Sequence, residues 1–161
     1  MGQLEAVIDR AEQQCAERGQ RLTPKRKQVL QGLLQSGRAL SAYELVDVCK
    51  DMFDQSMPAM SVYRILDFLE EQRLVHKLKM VNRYVACAHI TCDHSHGEPQ
   101  FLICSGCNRV DEIRPDAEIV RLLREDIEAA GFHLPSPQLE INCICHDCWQ
   151  DESSAGSDTK H

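Results

Sequence analysis

No stretch of the 161-residue sequence approaches the roughly 18 consecutive apolar residues a membrane-spanning helix needs, so an integral helical membrane protein is excluded. The first residues, MGQLEAVIDRAEQQC, carry acidic side chains early and lack an apolar core, so they do not read as a secretory signal. Internal repeats, collagen-type triplets, coiled-coil heptads and low-complexity tracts are lacking too, which excludes the fibrous and repeat classes. What remains, 43% hydrophobic and 27% charged, is an ordinary globular composition sized for one domain or two small ones.

Two abundances stand against those absences. Nine cysteines and seven histidines are many for a chain with no export signal. In a reducing cytoplasm, where this protein is expected, clustered cysteines more often bind metal or do redox chemistry than form disulfides. The net charge of −7 is also unevenly divided. Residues 1–84 hold 13 Lys/Arg against 11 Asp/Glu, and residues 85–161 hold 5 against 14. The acidic total opposes nucleic-acid binding; the polarity restores it as a local property of the first half.

The first half reads as helices followed by a hairpin. Residues 4–17 set Leu4, Val7, Ile8, Ala11 and Cys15 on one helical stripe, stopped by Gly19. Thr23-Pro24 supplies an N-cap hydroxyl and a first-turn proline for a helix reaching Ser36-Gly37. Ser41-Ala-Tyr-Glu44 is a capping box that opens a third helix running to about Cys49. A fourth, with Pro58 in its first turn, spaces Val62, Ile65, Leu66 and Leu69 at i, i+3, i+4, i+7. β-type segments follow at Leu74–Leu78 and Arg83–Cys87. This order is the plan of a winged helix-turn-helix. Ser61, Tyr63 and Arg64 near the start of the fourth helix suit base-edge and phosphate contacts, and Arg18, Arg21, Lys25, Arg26 and Lys27 form a basic cluster suited to phosphate anchoring.

The second half alternates short strands, at Phe101–Cys104, Arg109–Ile113 and Gln138–Ile144, with a helix over 116–130. Ile119, Leu122, Leu123 and Ile127 are expected to face inward on that helix, and Gly131 ends it. So thin a core suits a dimerisation module better than a lone domain. The expected fold class is therefore α+β. A winged-helix DNA-binding domain occupies 1–86, a hinge and metal loop 87–99, a small α/β dimerisation domain 100–149 and a disordered polar tail 150–161.

Cys104-Ser-Gly-Cys107 and Cys145-His-Asp-Cys148 are the strongest chemical signal. Each pair can aim two thiolates at one ion from a tight turn, and two such knuckles complete a closed tetrahedral four-cysteine zinc site of structural type. A thioredoxin-like redox pair instead needs one such motif opening a helix after a strand. A second constellation begins at the hairpin. With its tip at Val81-Asn82, His76 stands opposite Cys87, with Cβ atoms about 4.5–5.5 Å apart, near enough to share a metal. His89, Cys92, His94 and His96 are further candidates, and Glu112 could close the site. Such a mixed donor set containing a thiolate suits zinc better than iron(II) or manganese.

With these residues in view, the chain resembles the ferric uptake regulator family and, within it, the zinc uptake regulator branch. The resemblance is carried by Arg21-Leu-Thr-Pro-Lys-Arg26, Ser41-Ala-Tyr-Glu-Leu45, Ser61-Val-Tyr-Arg64 with Leu66-Asp67-Phe-Leu69, Leu74-Val-His-Lys77, Tyr84-Val-Ala-Cys87 and the two knuckles. It implies a homodimeric, cytoplasmic transcriptional repressor that binds palindromic double-stranded promoter DNA when loaded with zinc, two ions per subunit. It implies structural zinc at Cys104, Cys107, Cys145 and Cys148, and a sensory zinc on His76, Cys87, Glu112 and a loop histidine, His96 ahead of His94. Tyr63 and Arg64 would be the DNA-reading pair, with no membrane and no small-molecule substrate involved. Cys15, Cys49, Cys92 and Cys143 fall outside the implied ligand sets, and a third metal site is read as lost or altered, because Ser136-Pro137 replaces a histidine common in relatives and His133 is the one nearby substitute.

Two alternatives have different signatures. An iron- or peroxide-sensing regulator of the same family is opposed by Cys87 and by the Ser41–Leu45 text. A zinc-dependent deaminase is suggested superficially by His96-Gly-Glu98 before Cys104. Such an enzyme places those elements on two helices, which five intervening residues cannot span. No enzymatic activity is expected.

Overall fold

The computed structural model describes residues 2–91 and 99–155. The chain divides into two compact units, Met1–Asp93 and His94–His161.

In the first unit, α1 (Gly2–Glu17) buries Ile8, Ala11 and Cys15, and the chain turns at Gly19 with a positive φ of 70°. α2 (Pro24–Ser36) starts on Thr23, whose hydroxyl accepts the Arg26 N–H, and stops at left-handed Gly37. α3 (Ala42–Phe53) carries the full capping box, with the Glu44 N–H donating to Ser41 Oγ at 3.2 Å and the Ser41 N–H donating to Glu44 Oε2 at 2.8 Å. It runs one turn beyond the expected Cys49. α4 (Ala59–Glu71) buries Val62, Ile65, Leu66, Phe68 and Leu69, with Pro58 as its N-cap. Leu22, Leu30, Leu33, Leu40, Leu45, Leu66, Leu69, Leu74 and Tyr84 share one core. At about 1.5–3 kcal/mol for each fully buried leucine, that core carries the unit.

The hairpin pairs β1 (Val75–Leu78) with β2 (Arg83–Ala86), and its register corrects the sequence expectation. His76 lies opposite Val85, while the Cys87 N–H donates to the Leu74 carbonyl at 2.9 Å. The cause is a four-residue loop, 79–82, in place of a two-residue tip, with Asn82 in the left-handed region at φ 50°. No glycine follows Asn82 to favour the tighter turn. A slip of two residues preserves side-chain facing, so His76 and Cys87 stay on the same face as diagonal neighbours.

An ion pair fastens the wing to α3. Arg83 donates to Glu44 Oε2 at 2.7 Å and to the Ala39 carbonyl at 3.3 Å, beside a two-bond bridge between Leu40 and Tyr84. The Ser41 N–H, followed by Arg83, holds the Glu44 carboxyl below its ordinary value near 4.5. A depressed folded pKa stabilises the fold above the unfolded value, and that contribution fades as pH falls through the folded one. Glu44→Ala is expected to lower stability at pH 7 by about 1 kcal/mol, since the pair is partly exposed. The gap between variant and wild type should close in urea melts below pH 4; an equal gap at both pH values would refute the assignment.

In the second unit, β3 (Gln100–Cys104) pairs antiparallel with β4 (Val110–Ile113) and parallel with β5 (Leu139–Cys143), giving the order β4-β3-β5. The crossover carries α5 (Ala117–Ala129), N-capped by Asp116. Buried Gln100 donates to the Pro137 carbonyl and accepts the Leu139 N–H, so β5 enters the sheet on a satisfied polar anchor. Two expectations are corrected here. No α5 residue is buried: Ile119 is 61% exposed, and Leu122 and Leu123 are exposed too. A three-stranded sheet offers too little surface to cover that apolar face. The chain also continues as α6 (His146–Ala155), so residues 150–155, read from composition as disordered tail, are helical. Among the described residues no helix is long and apolar enough to cross a membrane.

Candidate metal centres and nucleic-acid interface

The two knuckles meet because β3 and β5 run parallel. Cys104 closes β3 in register with Cys143, two residues before Cys145. Across this junction the Ser105 N–H donates to the Cys143 carbonyl at 2.9 Å, and α6 begins directly after Cys145. The sulfurs of Cys104, Cys107, Cys145 and Cys148 all lie within 4.8 Å of one another, with Cys107 and Cys145 3.7 Å apart. A tetrahedron with metal–sulfur bonds of about 2.3 Å has edges of about 3.8 Å, whereas a disulfide would need about 2.05 Å. The donor set therefore fits a closed zinc site. The backbone is built for thiolate as well: Cys104 Sγ accepts N–H groups from Cys145 at 3.2 Å and Gly106 at 3.4 Å. These bonds, Cys145's foremost, pull the Cys104 thiol down to about 6, while crowding by Cys145, Cys107 and Cys104 drives Cys148 upward. Four thiols in one pocket cannot all ionise without a cation. Gly106 is required by space, because a Cβ there would sit 2.9 Å from Cys148 Sγ.

His76 and Cys87 supply the second donor group. His76, on β1, is half-buried, and Cys87, just past β2, is packed against the first unit's core. Their ligand atoms lie within 4.8 Å despite the shifted register. An imidazole and a thiolate at that separation match zinc's preferred donors. Glu112 belongs to β4 of the second unit, where its carboxylate accepts from Arg114 at 2.7 Å. His94 and His96, and Cys92 with them, lie outside the described residues.

On α4, Arg64 is exposed and Ser61 and Tyr63 are partly so. The Tyr63 ring meets that of Tyr43, from the start of α3, edge-on at 6.4 Å and 87°. The basic cluster is less uniform than its sequence suggests. Arg26 stacks on the Phe68 ring at 3.6 Å and donates to the Arg21 carbonyl at 2.7 Å, Lys27 pairs with Glu12, and Arg18 reaches the Glu71 carbonyl. Arg21 and Lys25 face solvent. Tyr43's contact was missed at the sequence level because residues 20 positions apart leave no periodic trace.

Residues 17–142 match the model of the ferric uptake regulator family. The chain is 37% identical over 148 residues to the zinc uptake regulation protein of Escherichia coli (strain K12), covering 91% of this chain and 84% of that one. Among solved structures, a zinc uptake regulator complexed with zinc and DNA superposes with a TM-score of 0.76 at 32% identity, over 93% of this chain and 97% of the other. A holo XcZur crystal structure gives 0.71 at 36%, over 90% and 98%.

Proposed function

The chain belongs to the ferric uptake regulator family, and from that premise we infer that it is a zinc-responsive DNA-binding transcriptional regulator that represses zinc uptake genes when loaded with zinc. The observation that carries the zinc assignment is the pairing of a four-cysteine cluster with a separate His76–Cys87 pair. One donor set is all thiolate and closed, as a structural site requires; the other mixes imidazole and thiolate, as an exchangeable site can.

We assign two zinc ions per subunit. Cys104, Cys107, Cys145 and Cys148 hold the structural ion. His76 and Cys87, completed by Glu112 and His96, with His94 the alternative, hold the regulatory one. When bound, zinc would neutralise the clustered thiolates and tie together the segments that carry them. Tyr63 and Arg64 read base edges, Ser61 assists at the helix start, and Arg21 and Lys25 contact phosphates. Arg26 contributes by pinning the Arg21 segment to Phe68. The partner for the exposed α5 face is a second copy of the chain: Ile119, Leu122 and Leu123, with Ile141 on β5 and Trp149 on α6, are large apolar side chains left open, as a surface that pairs with its own copy would leave them. The resulting homodimer matches a palindromic operator and acts in the cytoplasm, on DNA, without a small-molecule substrate.

The decisive test is fluorescence anisotropy of a labelled duplex from a zinc-transporter promoter of the same genome, at buffered free zinc, iron(II) or manganese(II). Salt-sensitive binding with zinc alone is expected. An equal response to iron would move the protein to the iron-sensing branch, and no binding with any metal would refute the regulator assignment. In the same assay Arg64→Ala should weaken specific binding at least about ten-fold, the effect of losing one good base contact of about 1–3 kcal/mol, with zinc content unchanged.

A further inference from the structure

We propose that Met60 is a specificity-determining residue that reads the C5-methyl group of a thymine in the major groove. The proposal rests on α4 being the recognition helix. Among the described residues of the first unit three large apolar side chains are well exposed: Tyr43 at 67%, Met60 at 65% and Met80 at 57%. Single exposed apolar residues are ordinary on protein surfaces; here the position is the informative part. Tyr43 sits at the start of α3, Met60 in the first turn of α4, and Met80 in the loop joining β1 and β2. Tyr43 has a task inside the unit, since its ring supports that of Tyr63.

Met60 lies on the outer face of α4, away from buried Val62, Ile65, Leu66 and Leu69 and one turn before Arg64. Asp67, the next exposed residue on that face, is acidic and repels phosphate, so the readable part of the helix ends at Arg64. Of the side chains left there, Ser61, Tyr63 and Arg64 offer hydrogen bonds, and Met60 offers only a flexible apolar surface. The one apolar feature a base pair shows in the major groove is the thymine methyl. Four residues of helix rise about 6 Å, so the thymine lies about two base-pair steps from the base that Arg64 reads.

The test uses the full-length, zinc-loaded protein and a duplex enriched from a randomised pool by the wild type. Each thymine of a half-site is then replaced in turn by deoxyuridine, which removes only the methyl. One replacement is expected to cost the wild type about four-fold in affinity per half-site, the weight of one buried methyl-sized group. Met60→Ala should bind the thymine and uracil duplexes equally, while Met60→Leu keeps the discrimination. The inference is overturned if no uracil replacement matters to the wild type, or if Met60→Ala still discriminates. Enrichment of no sequence at all would instead overturn the DNA-binding assignment, and this one with it.

Discussion

Cys104→Ser is expected to leave the second unit unfolded while the first keeps its helices and hairpin. Structural zinc contributes an apparent binding free energy of about 10–16 kcal/mol in small metal-bound units, as much as or more than the roughly 5–15 kcal/mol of net stability an ordinary domain possesses. The second unit has little to set against that loss, since α5 buries none of its residues. Cys104 is also the sulfur that accepts two backbone N–H groups, so serine removes the organising centre of both knuckles. Circular dichroism should show partial loss of helix, and size exclusion should show loss of the dimer. Gly106→Ala tests the same point without deleting a ligand, because its Cβ would collide with Cys148 Sγ. A Cys104→Ser protein that stayed folded and dimeric would show the cluster to be dispensable.

Cys87→Ser should have the opposite profile. The first unit's core is built from some twenty buried residues, and Cys87 is only a partly buried neighbour of it. Melting should therefore shift little, and the protein should stay dimeric with the ion of the four-cysteine cluster retained. Zinc-dependent DNA binding should fall at least about 100-fold, since even residues that merely orient a ligand cost about 10–100-fold in metal affinity. Metal analysis should read close to one zinc per subunit in place of two. If the Cys87 and Cys104 variants lost stability alike, the division into structural and regulatory sites would be wrong.

Much of this arrangement was legible because local chemistry dictates it. Thr23 and the Ser41–Glu44 box satisfy helix-start N–H groups within a few residues and Gly37 stops α2 by turning left-handed, so these helix ends are readable from local sequence. The knuckles were legible for the same reason: a turn of two residues aims both sulfurs with no help from distant chain. What was hidden depends on partners far away in sequence or absent from the chain. The wing register turned on whether four residues or two make the loop, a choice carried by Asn82 adopting a positive φ. Helical spacing locates the apolar stripe of α5 but not its direction: Ile119, Leu122 and Leu123, expected to face inward, are exposed, because periodicity cannot say what surface covers a stripe. Arg26 looked like its basic neighbours until Phe68, 42 positions on, came under its guanidinium.

The parallel pairing of β3 with β5 has a consequence for the order of events at the ribosome. A parallel pair cannot form until its whole crossover has been made, and here the partner knuckle ends at Cys148. The first unit, with its own core, is complete by about residue 91. At bacterial-type synthesis rates of about 5–20 residues per second, Cys104 and Cys107 then wait several seconds as a solitary thiol pair before Cys145 and Cys148 emerge. During that interval they are open to oxidants and to whichever soft cation arrives first. A nascent chain thus completes its first unit well before the second can close its four-cysteine cluster.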